Sequence, residues 1–219
     1  MIQNYFKQYK ILFGDHLFLN KKVVSSPFNN LKNDMNICYG DFDKNLIQNC
    51  KNCKNKALEK NLVFGYGNLK PEILILMDSP NKIDVSKGEL LYGESGKLLN
   101  KILIAIGRKR LDDTYLTSIL KYRPENNRYP LKSEFENCII HLNNQIKFTN
   151  PKLILFFGNN LAKLLLNEYR EIDKIRLKVF NYKNKPVIIT YHPNSLIKNK
   201  KLKNLVWRDF KFIKSVLNN

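Results

Sequence analysis

Asp78, in Asp78-Ser79-Pro80, and His192, in Tyr191-His192-Pro193-Asn194, each follow directly on a short apolar run. A carboxylate so placed can aim a water molecule or balance growing positive charge. A histidine, neutral or protonated, can donate a hydrogen bond to negative charge developing on a leaving group. Each has a plainer reading, since Asp is a common turn former and a lone His is more often structural. Gly93-Glu94-Ser95-Gly96, followed by Lys97, stands before a helical pattern, and the N–H groups of such an entry can cradle a phosphate. An ordinary helix start with Ser95 as N-cap fits the same residues. Cys50-Lys51-Asn52-Cys53 and the distant Cys138 supply three thiols, whereas zinc and iron–sulfur sites normally take four ligands. Cys38 has no spacing that makes it the fourth, and reduced buried cysteines explain the set equally well.

A parallel sheet is the element that would bring Asp78 and His192 together. Residues 72–77, 114–120, 152–157 and 187–190 read as strands, and they run into Asp78-Ser79-Pro80, Lys121-Tyr122-Arg123-Pro124, Gly158-Asn159-Asn160 and Tyr191-His192-Pro193-Asn194. In open α/β sheets ligands bind in the crevice at the carboxyl ends of the strands, so these four loops predict one site. Helices are expected between them. Leu98, Leu99, Ile102, Leu103 and Ile106 have helical spacing over 96–106, with Gly107 as C-cap. A second helix, capped by Ser133 with Glu134 and Glu136 in its first turn, runs to about residue 148. A third covers about 160–169, and a fourth, about 202–217, puts Trp207, Phe210 and Ile213 on one face. Residues 81–94 and 121–130 read as loops. The alternation predicts an α/β fold, a three-layer α-β-α sandwich around a four-stranded, mainly parallel sheet. Residues 1–49 are an N-terminal extension with one helix near 2–13, and residues 50–219 form the main domain.

With 219 residues, 43% of them hydrophobic, the chain can bury one substantial core. Its 38 Lys and Arg exceed its 19 Asp and Glu by +19, a balance that draws polyanions and releases counterions on binding. Nucleic acid is the natural partner. A Lys- and Asn-rich composition throughout would give part of the same excess with no partner at all. No run reaches the ~18 apolar residues of a membrane span, and Lys7, Lys10 and Asp15 interrupt any signal-peptide core. The expected location is cytoplasmic, bacterial-type and nucleoid-associated, without a membrane partner.

Taken in order, the motifs resemble the uracil-DNA glycosylase superfamily, in particular its family-4 branch. The resemblance runs from Cys50 to about Val216. It begins with Cys-x-x-Cys and with Asn61-Leu62-Val63-Phe64-Gly65-Tyr66-Gly67-Asn68. The family's Gly-Glu-Ala-Pro-Gly motif falls on Met77-Asp78-Ser79-Pro80-Asn81. Gly88, the stretch from Gly93 to Leu99, Ile106-Gly107, Tyr115-Leu116-Thr117, Arg123-Pro124, Asn127-Arg128 and Pro130 keep register. Thr190-Tyr191-His192-Pro193 and Val206-Trp207-Arg208-Asp209 close the match. The resemblance implies hydrolysis of the bond joining uracil to deoxyribose in single- or double-stranded DNA, with the nucleotide flipped out of the helix. Asp78 would stabilise the cationic sugar or position water, and His192 would stabilise the uracil anion. Ser79 and Pro80 would border the base. Gly93, Ser95, Lys97, Arg123, Asn194 and Ser195 would meet DNA, and Leu196 or Ile197 would wedge into the stack. A monomer with no nucleotide cofactor is expected.

Departures from the family pattern set further expectations. The family's four-iron–four-sulfur cluster needs four cysteines. Cys50, Cys53 and Cys138 fill three positions and Tyr122 the other, so the expected cofactor is none, with a four-iron–four-sulfur cluster on the three cysteines as the alternative. The base-reading Asn falls on Ser118 and the stacking Phe on Leu91, beside Tyr92, and each loss could cost about 1 to 3 kcal/mol of discrimination. Met77 and Asn81 replace glycines, which would reshape the first motif. Altered base specificity, or a DNA-binding protein with impaired catalysis, are therefore the alternatives to an active uracil-DNA glycosylase. A nucleotide-binding enzyme is weaker, because no G-x-G-x-x-G or Walker loop follows the first strand.

Overall fold

The computed structural model describes residues 62–124 and 128–218. The helix expected at 2–13, Cys38, Cys50, Cys53, Asn61, Asn127 and the boundary near residue 50 lie outside the described residues.

Short, buried and mostly apolar runs form the central strands because both of their faces are covered. The sheet contains β1 (Tyr66–Gly67), β2 (Ile73–Met77), β3 (Thr114–Ser118), β4 (Leu153–Phe157), β5 (Phe180–Tyr182) and β6 (Lys185–Thr190), in the order β1-β3-β2-β4-β6-β5. The inner four are parallel and are the four read from sequence. The sheet is nonetheless six-stranded, since β1 and β5 add antiparallel edges. At two and three residues these edge strands are too short to carry a periodic signal.

Alternation along each strand divides the core. Ile73, Ile75, Met77, Leu153, Leu155 and Phe157 pack on one side with Leu99, Ile102, Trp207 and Phe210. Leu74, Leu76, Ile154 and Phe156 pack on the other with Phe135, Leu142, Ile146 and Leu161. The covering helices are α1 (Lys82–Lys87), α2 (Glu94–Ala105), α3 (Lys132–Thr149), α4 (Asn159–Leu166), α5 (Ile172–Ile175), α6 (Pro193–Lys198) and α7 (Leu202–Asn218). This is the expected three-layer α/β sandwich. Among the described residues, no helix is long and apolar enough to cross a membrane.

Three local expectations are corrected. The stretch 81–94 holds a helix, α1, because the Asn81 side chain accepts from the Ile83 and Asp84 N–H groups while Asp84 accepts from the Asn81 N–H. Asn81 therefore acts as a cap at φ −89°, a conformation that needs no glycine. Helix α3 starts ahead of Ser133, with Leu131 at the cap position and Glu134 reaching back to the Leu131 N–H at 2.9 Å. Helix α4 stops at Leu166, where Asn167 turns left-handed at φ 53°.

Candidate active site

Strands β2 and β4 are neighbours whose chain continues to opposite sides, β2 to β3 and β4 toward β5 and β6, which opens a crevice beyond their carboxyl ends. A pocket sits there with a water-accessible volume of about 170 Å³, lined by Met77, Asp78, Ser79, Arg128, Tyr129, Pro130, Phe157 and His192. Asp78 and Ser79 follow β2, Phe157 ends β4 and His192 follows β6. Residues remote in sequence thus meet where their strands end.

Asp78 is largely buried. Its Oδ2 accepts from Asn160 Nδ2 at 3.1 Å, and its Oδ1 has no hydrogen-bond partner. Burial pushes its pKa from 3.8 up to about 6, with the Asn160 bond pulling the other way. The backbone beside it is fixed, because the Asp78 carbonyl accepts from the Leu120 N–H and the Met77 carbonyl from the Ile119 N–H, both at 3.0 Å. The carboxylate is held while one oxygen remains uncommitted. An uncommitted carboxylate oxygen can accept a proton from water.

His192 caps α6, with Pro193 at the first helical position. Its Nδ1 accepts from the Asn194 N–H at 3.1 Å, and its ring meets Phe157 edge-on at a centroid distance of 5.7 Å. Burial lowers its pKa from 6.5 to about 4. At neutral pH the ring is uncharged, and a neutral imidazole whose Nδ1 accepts carries its proton on Nε2. Phe157 and the cap leave Nε2–H as the group able to donate to a ligand.

A buried hub supports this end of β3. Lys121 Nζ donates to Thr117 Oγ1, the Ser118 carbonyl and Gln145 Oε1 at 2.7, 2.5 and 2.6 Å, and Gln145 Nε2 donates to the Phe64 carbonyl at 2.9 Å. Neither Lys121 nor Gln145 is legible from sequence as a site support, because a lysine in a polar loop reads as exposed. Tyr129 and Phe157 also belong to the site without a motif that singles them out, whereas Asn160 lies in the loop expected after the third inner strand and Arg128 in the Asn127-Arg128 match.

The structure separates several expected base or DNA contacts from the pocket. Leu91 is fully buried in the core at φ 53°, and its carbonyl accepts from Arg110. Ser118 is fully buried too, and its hydroxyl donates to the Leu120 carbonyl at 2.7 Å. Pro80 is buried beside the site, and Tyr92 is exposed beneath Lys87. Leu196 is 0% exposed and packs in the core because it lies on the inner face of α6, so it is no wedge, whereas Ile197 is 46% exposed. Gly93 caps α2 at φ 82° and Ser95 is buried in its first turn. At Gly96 a Cβ would stand 1.8 Å from the Leu91 carbonyl oxygen, so that glycine permits close packing. Lys97 is paired with Glu94 at 2.8 Å. Arg123 is half-buried in the loop after β3. In α6 the Ser195 N–H donates to the His192 carbonyl at 2.8 Å, and Asn194 serves the His192 cap.

The superfamily profile of uracil DNA glycosylases matches residues 64–211, which include every strand and nearly all of the helices that build the pocket. The chain belongs to the uracil-DNA glycosylase superfamily. Among its relatives, a type-4 uracil-DNA glycosylase of Archaeoglobus fulgidus is 34% identical, over 76% of this chain and 87% of that protein. Those of Sulfurisphaera tokodaii and Saccharolobus solfataricus are 33% and 31% identical, over 79% and 78% of this chain and 82% and 83% of theirs.

The cluster that the glycosylase resemblance implies does not fit the donors described. Tyr122 stands at the third ligand position, its ring buried in the same apolar cluster as Cys138. A phenol does not replace a soft thiolate. Among the described residues, no group of three His, Cys, Asp or Glu is gathered to hold a metal ion.

Proposed function

We propose that the protein is a monofunctional uracil-DNA glycosylase that hydrolyses the N-glycosidic bond of uracil in DNA and leaves an abasic site for base excision repair. The observation that carries this reading is the pairing, in one pocket, of a buried carboxylate with an uncommitted oxygen and a neutral histidine whose Nε2–H is free to donate. As the bond from C1′ to N1 lengthens, the sugar becomes cationic and the base anionic. Ionised Asp78 stabilises the first and orients the water that adds to C1′, taking up its proton. His192 donates to an oxygen of the departing uracil and spreads its charge without itself becoming cationic. The names of the relatives and the basic surface point the same way.

A second reading concerns base choice. Withdrawal of Leu91 and Ser118 from the pocket favours recognition by other residues, and with it a specificity that includes bases besides uracil. The protein works without an iron–sulfur cluster in this reading, and anaerobically purified protein is expected to show no iron–sulfur absorption. Stoichiometric iron and sulfide would overturn that expectation.

The test is uracil release from single- and double-stranded oligonucleotides, with alkaline cleavage of the abasic product and His192→Ala as control. Release by wild type alone supports the assignment. Equal release by the variant removes His192 from the mechanism, and no release by either protein overturns the activity.

A further inference from the structure

Glu134 stands at the third position of α3 and receives donors from Arg128 and from the Leu131 backbone. Arg128 grips it bidentately, with Nη1 on Oε2 and Nη2 on Oε1, each at 2.7 Å. The Leu131 N–H reaches Oε2 at 2.9 Å, and the Tyr122 side chain helps to lower the pKa of the same carboxyl. Arg128 and Leu131 flank Tyr129 and Pro130, so both ends of this short segment are tied to one side chain. Fork-to-fork pairing fixes direction as well as distance. Arg128 first, then the Leu131 N–H and Tyr122, hold the Glu134 carboxyl at about 2, so the clamp stays ionised throughout the physiological range.

What the clamp holds is the rim of the pocket, formed by Arg128, Tyr129 and Pro130. Tyr129 is 76% exposed there, a large aromatic side chain with most of its surface in water. Single exposed aromatics are ordinary, as Tyr169 at 70% shows, and what sets Tyr129 apart is its place in the pocket lining, where its ring matches the π-face of a nucleobase. Leu91 is buried elsewhere and offers no platform. Because Arg128 is already paired with Glu134, its guanidinium serves the rim more than it serves a phosphate.

We propose that Tyr129 is the aromatic platform on which the nucleotide entering the pocket stacks, and that the Tyr122–Glu134–Arg128 clamp is the positioning device that holds it there. The inference rests on the glycosylase reading for its substrate. The clamp itself does not depend on that reading. Tyr122 then has a task at the position where the resembling family places a thiolate: its hydroxyl closes the clamp.

The experiment compares wild type, Tyr129→Ala, Tyr129→Phe and Tyr122→Phe as full chains. Single-turnover release of uracil from a single-stranded oligonucleotide is measured together with amide hydrogen exchange across residues 128–134 in the absence of DNA. Tyr129→Ala is expected to lose about tenfold or more in kcat/KM, and Tyr129→Phe to restore it, as stacking requires. Tyr122→Phe keeps the buried ring, so its fold persists, and it is expected to speed exchange at residues 128, 129 and 131 and to lower kcat/KM several-fold. Wild-type activity in Tyr129→Ala, or failure of Tyr129→Phe to restore it, overturns the platform. Unchanged exchange in Tyr122→Phe overturns the clamp. If wild type releases no uracil, the glycosylase reading and the platform fall together, and exchange in Tyr122→Phe still decides the clamp.

Discussion

Asp78 and His192 are both displaced from their ordinary acidities by burial, yet in opposite senses for stability. Asp78 binds its proton near pH 6 when folded and near 3.8 when unfolded, so the folded state holds the extra proton between those values. Unfolding free energy therefore falls as pH rises through that window, by about 3 kcal/mol in all if burial acts in full. His192 runs the other way, because its neutral form is favoured by the fold and stability is lost as pH falls from 6.5 through 4. Asp78→Asn keeps an oxygen for Asn160 and removes the buried charge. It is expected to raise the melting temperature at pH 7, with the gain vanishing near pH 4, while base release falls by at least a hundredfold, within the ~10² to 10⁴ range of a lost general base. Thermal melts of the two proteins from pH 4 to 8 check this. A gain independent of pH would mean that the buried carboxylate is not its source. The same acidities predict that kcat/KM of wild type has one acid limb near pH 6, set by Asp78, and none near 6.5 from an ordinary histidine. A limb that survives Asp78→Asn would reassign it.

At the level of elements, α6 shows how a six-residue helix divides its labour. His192 is its cap, Leu196 its anchor in the core and Ile197 its exposed apolar face. Ile197→Ala is expected to slow uracil release from duplex DNA about three- to tenfold more than from single strands, because only the duplex needs its stack filled behind a flipped base. Leu196→Ala is expected instead to cost about 2 to 5 kcal/mol of stability, the toll of a buried leucine cavity. Equal effects of Ile197→Ala on both substrates would remove the wedge. The sequence makes part of this legible. The four parallel strands and the meeting of Asp78 with His192 follow from apolar runs and polar loops, both visible in one dimension. Helix α6 was hidden because its cap is a histidine, a residue outside the usual capping set, and α1 because its box reads Asn81-x-x-Asp84 inside a polar stretch. Buried supports were hidden for another reason. Lys121 and Glu134 look like surface charges until the fold shows which oxygen and which arginine they face.

Across the whole molecule, charge and chemistry are separated. A +19 excess draws DNA from a distance, whereas the pocket holds a neutral histidine and one half-shielded carboxylate. Affinity should therefore fall steeply with salt while the bond-breaking step does not. Binding of duplex DNA that neutralises six to ten phosphates gives a slope of log K against log salt of about −5 to −9, and single strands a shallower one. His192→Ala removes no charge at neutral pH, so its slope for uracil-containing duplex should equal that of wild type even though release is abolished. Fluorescence anisotropy across 50 to 200 mM salt, run alongside single-turnover release, measures both quantities on the same oligonucleotide. A slope reduced by about one unit in His192→Ala would show a protonated histidine contacting a phosphate, contrary to the burial that holds its acidity near 4. Equal slopes with lost release would show that the long-range field of the surface delivers the substrate and that a small set of uncharged or internally paired groups, fixed at the ends of β2, β4 and β6, performs the reaction.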